Sequence, residues 1–66
     1  MAVTYKKLWK LLIDKEIKKS ELQKMAEISG NVLSRLNRDE YVSMESLDKI
    51  CKTLQCDIGE IVEIIE

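Results

Sequence analysis

Residues 17–38, IKKSELQKMAEISGNVLSRLNR, decide the fold, because they read as two very short helices separated by a turn of about three residues. Ile17 and Leu22 stand five apart around a chain reversal, as do Ile28 and Leu33. That is the spacing at which an apolar residue before a cap packs on one in the first full turn. Ser29 offers a side-chain oxygen to the open amides of the second helix, and Glu21 lies in the first turn of the other, where the helix dipole favours a carboxylate. Leu22, Met25 and Ala26 then share one face, Leu33 and Leu36 another, and both faces should meet a common core. A turn so short makes the second helix cross the first steeply and stand out from the body, as a probe for the DNA major groove must.

The same pattern recurs on either side. Val42, Ser43 and Leu47 repeat the apolar, cap, apolar arrangement, and Cys56, Asp57 and Ile61 repeat it again, with Glu60 completing a capping box. Upstream, Thr4 is expected to cap a helix whose apolar face is Tyr5, Leu8, Trp9 and Leu12. The reading is all-α, with five helices at about 5–15, 19–26, 30–38, 44–55 and 58–65. No strand is predicted, since there is no proline, there are two glycines, and no run of β-branched residues alternates.

Sixty-six residues make one domain, 1–66, with a helix-turn-helix motif at about 19–38. A chain of this size buries only about 60% of its unfolded surface, so a stability of a few kcal/mol is expected, with no room for a sensory domain. Leu11, Leu12 and Ile13 are too short a run for a signal peptide, and nothing approaches the roughly 20 apolar residues of a membrane span. A cytoplasmic protein is expected. Cys51 shares a helix face with Leu47, Ile50 and Leu54, and Cys56 holds a staple position, so both read as small core residues. The C-x4-C pair is a poor metal site without histidine or a third thiol, and a disulfide is the less favoured alternative. There is no histidine, no glycine-rich phosphate loop and no nucleophile–base pair. No catalytic residue, cofactor or small-molecule substrate is therefore expected.

Charge is divided along the chain. The net value of −1 conceals nine basic against four acidic residues in 1–38, or +5, and two against eight in 39–66, or −6. The basic half contains the two-helix motif.

With IKKSELQKMAEISGNVLSRLNRDE followed by SMESLDKICKTLQCDIGEIVEI, the chain resembles the helix-turn-helix domain of the phage repressor/Cro (XRE) family, especially its small stand-alone members, from about Tyr5 to Ile65. The resemblance implies a five-helix, lambda-repressor-like domain that binds double-stranded operator DNA, usually as a dimer, and regulates transcription. It implies a recognition helix at about 30–38 that enters the groove by its N-terminal end, with Ser29, Gly30, Asn31, Ser34 and Arg35 against the bases. Asn31 has the amide to pair with adenine and Arg35 the fork to pair with guanine. Lys18, Lys19 and Arg38, with Lys10 or Lys6, would hold phosphates and give affinity without reading sequence.

Departures from the family pattern are local. Glu27 and Asp39 replace glycines, Gln23 an alanine and Lys18 a hydroxyl cap; Glu40 stands where a basic residue is common, and Gly30 brings no side chain to the DNA. Glu27 should cost roughly 1 kcal/mol if the turn keeps its left-handed backbone. In the last predicted helix, Ile58, Ile61, Val62 and Ile65 form a stripe that closes the core, and the surplus at its end, Ile64 and Ile65, suggests a two-fold contact. A homodimer would favour a palindromic operator. The alternative is a protein-interaction module on the same scaffold, an antirepressor or accessory subunit, favoured by Gly30, Glu40 and the net negative charge.

Overall fold

Each of the first four predicted helices forms, and each depends on packing, since none is long enough to be stable alone. In the computed structural model, which describes residues 2–66, α1 spans Lys6–Asp14, α2 Lys19–Ala26, α3 Gly30–Asn37 and α4 Met44–Leu54. Three residues, 27–29, separate α2 from α3. The expected caps close two of these starts: Ser29 Oγ accepts from Val32 N and Ser43 Oγ from Ser46 N, both at 3.2 Å. Lys18 has no acceptor to offer, so α2 keeps only the reverse half of a capping box, Glu21 Oε1 accepting from Lys18 N at 2.9 Å. At α1, Tyr5 rather than Thr4 holds the cap position, because Thr4 belongs to a strand; its Oγ1 still accepts from Lys6 N at 3.4 Å.

The fifth helix does not form. Residues Ile58–Glu60 make a single 3₁₀ turn, begun by Asp57 Oδ1 accepting from Ile58 N at 3.0 Å, and the chain then extends as β2, Glu63–Ile65. That strand pairs antiparallel with β1, Ala2–Thr4, in the register Ala2↔Ile65, Val3↔Ile64 and Thr4↔Glu63. The expectation of no strand is overturned with it. The apolar spacing after Cys56 suits a helix, but Ile and Val are stiff residues that favour extended backbone, and a partner strand at the far end of the chain satisfies their amides. The predicted stripe is dispersed: Ile61 alone is fully buried, Val62 is half-buried, and Ile58, Ile64 and Ile65 are exposed.

The core takes Leu8 and Leu12 from α1, Leu22 and Ala26 from α2, Leu36 from α3 and Leu47, Ile50 and Leu54 from α4, closed by Val3, Tyr5, Ile28 and Ile61. Met25 departs from the predicted face of α2. That helix presents only its Leu22–Ala26 row, chiefly to α4, and leaves Met25 outside. Tyr5 ties the start of α1 to the segment after α3: its N–H donates to Asp39 Oδ1 at 3.2 Å and its hydroxyl to the Glu40 carbonyl at 2.7 Å. Burial, and then the Asp39 charge, push the phenol pKa up, which keeps the hydroxyl a donor.

All four α-helices end in one hydrogen-bonded reversal. Glu16, Glu27, Asp39 and Gln55 take left-handed backbone, with φ of 58°, 55°, 54° and 53°. The following N–H then donates back across it: Ile17 to the Leu12 carbonyl at 2.9 Å, Ile28 to Gln23 at 3.2 Å, Glu40 to Arg35 at 2.9 Å and Cys56 to Cys51 at 3.0 Å. Glycine normally fills such a position, and in this chain it fills none of them.

Candidate nucleic-acid interface

Leu36 has no solvent exposure and Val32 packs partly buried against the core, so the inner side of α3 is fixed, whereas Leu33, expected beside Leu36 on the core face, is only partly buried and lies outside that cluster. Its outer side is open. Asn31 and Arg35, one turn apart on the helix, are both exposed, as are Ser29 and Gly30 at its start. Ser34 is half-buried at the flank of that face, so of the five candidate base readers it is the least presented. Gly30 has room for a side chain, the nearest atom to an added Cβ being Gln23 Nε2 at 3.7 Å. The bare helix tip therefore reflects the residue present there and not a steric need for glycine.

The candidate phosphate anchors divide into three groups. Lys19 has two partners: its Nζ donates to Asn37 Oδ1 at 2.7 Å and lies 4.1 Å from the centre of the Trp9 ring. One ammonium thus joins α1, α2 and the end of α3, held by a cation–π contact that leaves its other hydrogens free to donate. Lys18 stands exposed at the α2 N-terminus, but Glu21 already occupies its amide. Arg38 is paired, Nε to Glu40 Oε2 at 2.8 Å, with both side chains about half exposed. Lys6 and Lys10 lie on the side of α1 away from Leu8 and Leu12, and no hydrogen bond or ion pair among the described residues joins either to α3.

Sequence reasoning missed Trp9 and Asn37 as organisers of Lys19, because ten and eighteen positions separate them from it and no local pattern records the contact. It set Glu40 where a basic residue is common, without foreseeing the pair with Arg38. A shallow groove beside Arg35, lined by Ala2, Val3, Asp39, Glu40 and Tyr41, was likewise invisible, since it depends on β1.

The Arg38–Glu40 pair has a measurable consequence. The Glu40 backbone is held at both ends, its N–H by the Arg35 carbonyl at 2.9 Å and its carbonyl by the Tyr5 hydroxyl at 2.7 Å, so the carboxylate stays beside Arg38. Any polyanion must compete with it. Glu40→Gln is expected to raise affinity for duplex DNA several-fold at low salt and to steepen the dependence of log K on log salt by about one, measured by fluorescence anisotropy.

A family model for the Cro/C1-type HTH DNA-binding domain matches residues 7–66. The chain belongs to that family. Among solved structures, this Cro/C1-type domain is similar to the crystal structure of the transcriptional regulator VanUg, Form II, with 44% sequence identity and a TM-score of 0.95 over 97% of this chain and 85% of that one. No curated relative matches the chain. As a Cro/C1-type domain it is an XRE-type helix-turn-helix regulator, built here on four α-helices and a two-stranded sheet. No helix among the described residues is long and apolar enough to cross a membrane.

Proposed function

We propose that the protein is a sequence-specific, DNA-binding transcriptional regulator that seats α3 in the major groove. Asn31 and Arg35 read base edges, adenine through the amide and guanine through the guanidinium, with Ser29, Gly30 and Ser34 close to the bases. Lys19, Lys18 and Arg38 hold phosphates on either side, with Lys6 or Lys10 as outer contacts. The observation that carries this reading is the exposure of Asn31 and Arg35 on a helix whose opposite face is anchored by a fully buried Leu36. The 44% identity to the transcriptional regulator VanUg supports it.

The regulator acts as a homodimer on a palindromic operator, two α3 helices reading half-sites roughly 34 Å apart. Ile64 and Ile65, 60% and 46% exposed on β2, supply the two-fold contact. Such a protein works in the cytoplasm, where its DNA is.

One observation favours the second reading, a protein-interaction module such as an antirepressor or accessory subunit: Arg38 already has a carboxylate partner. A gel shift against the DNA upstream of its own gene, at low and moderate salt, separates the two. A regulator retains its preferred duplex as salt weakens the electrostatic part of binding, whereas an interaction module shows no duplex competing above non-specific background at any salt.

A further inference from the structure

The reversal shared by the four helix ends brings the residue four positions before each left-handed residue against the one immediately after it. At α1 these are Leu12 and Ile17, at α2 Gln23 and Ile28, at α3 Arg35 and Glu40; at α4 they are two free thiols, Cys51 and Cys56. The Cys56 N–H donates to the Cys51 carbonyl at 3.0 Å, and both side chains line one groove. Both pack against the core, as their sequence positions suggested, but only partly buried. Both are half-buried at the floor of an open groove lined by Asp48, Lys52, Gln55, Asp57 and Glu60.

We propose that Cys51 and Cys56 form a dithiol modification site, which a small, uncharged or cationic disulfide oxidises reversibly to an intramolecular bridge between the end of α4 and the turn at Ile58–Glu60. Cys56 attacks first. Burial raises its pKa, and Glu60 and Asp57 add to that, but the neighbouring Cys51 thiol and Lys15 favour its thiolate, whereas at Cys51 every neighbouring group acts against one. Its sulfur bonds to one sulfur of the reagent, the reagent's S–S bond breaks, and one thiol leaves carrying the proton. Cys51, as thiolate, then attacks the Cys56 sulfur and expels the second reagent thiol. The protein loses two hydrogens and two electrons, and the reagent disulfide gains both. The second step needs no diffusion of a second molecule, because the reversal ties the Cys56 backbone to that of Cys51 and both residues line the same groove.

The surroundings decide the rate and the choice of oxidant. Burial pushes the Cys51 thiol up to about 11, and Cys56, Asp57 and Asp48 act in the same direction. Thiolate is scarce at neutral pH, and the reaction accelerates about tenfold per pH unit while pH stays below both thiol pKa values. Asp48, Asp57 and Glu60 outnumber Lys52 and Lys15, so an anionic disulfide is repelled and a cationic one drawn in.

The test treats the intact protein with cystamine, hydroxyethyl disulfide or oxidised glutathione between pH 7 and pH 9, followed by mass spectrometry of the alkylated, unreduced chain. The expected product is a monomer lighter by two hydrogens, closed to alkylation and restored by a thiol reductant. It forms fastest with cystamine and slowest with oxidised glutathione, and its Tm is higher by about 5–10 °C. Cys51→Ser is expected to stop at the mixed disulfide on Cys56. Wild-type protein that accumulates two stable adducts, links between chains, stays reduced while the unfolded chain reacts, or melts lower when bridged overturns the proposal, whatever the serine variant does.

Discussion

Arg35→Ala is expected to lower affinity for the preferred operator by about 1–3 kcal/mol, roughly 5- to 150-fold, and to relax selectivity at one base step. The guanidinium is the one strong, forked donor set on the outer side of α3, and it stands exposed above a helix fixed by Leu36. Lys19→Ala is expected to act differently, weakening every duplex alike and lowering the salt slope by about one. Lys19 stands on α2, and its ammonium is held between Trp9 and Asn37 rather than over the outer side of α3. Competition binding against a panel of single-base operator variants measures both effects. If both substitutions reduce all sequences equally, the division between base reader and phosphate anchor is wrong.

Replacing Glu16, Glu27 and Gln55 together by glycine is expected to stabilise the protein by about 2 kcal/mol and to raise Tm by about 10 °C in thermal unfolding followed by circular dichroism. Each residue holds a positive φ, and among the described residues no side-chain hydrogen bond is seen for any of the three. The left-handed backbone costs an L-residue about 1–2 kcal/mol, part of which glycine returns through the greater freedom it brings to the unfolded chain. Asp39 is left out on purpose. Its carboxylate accepts the Tyr5 N–H at 3.2 Å, so glycine there would relieve the backbone but leave a buried donor without its partner. A triple variant no more stable than the parent would mean that these reversals carry little strain.

What could be read from sequence, and what could not, follows the range of the interactions. Four helices were legible because their signals are local: Ser29 and Ser43 as caps, the apolar rows that become the core faces, and the positive φ at Glu27 from the glycine the family places there. The last segment was misread because the same Ile and Val positions satisfy a helical period, while the pairing of Val3 with Ile64 that draws them into a strand spans nearly the whole chain. Within the candidate site, exposure of Asn31 and Arg35 follows from the period of α3. The settings of Lys19 and Arg38 do not, since one depends on Trp9 and Asn37 and the other on a backbone held by Tyr5.

The sheet between the two ends of the chain also bears on how the molecule assembles. Its ladder joins the most distant partners in the sequence, Ala2 and Ile65, so its closure carries the largest loop entropy and gains nothing until the helices between are docked. A pair of dyes at the two ends would therefore report completion of the whole body, whereas a probe at the end of any one helix reports only its own reversal.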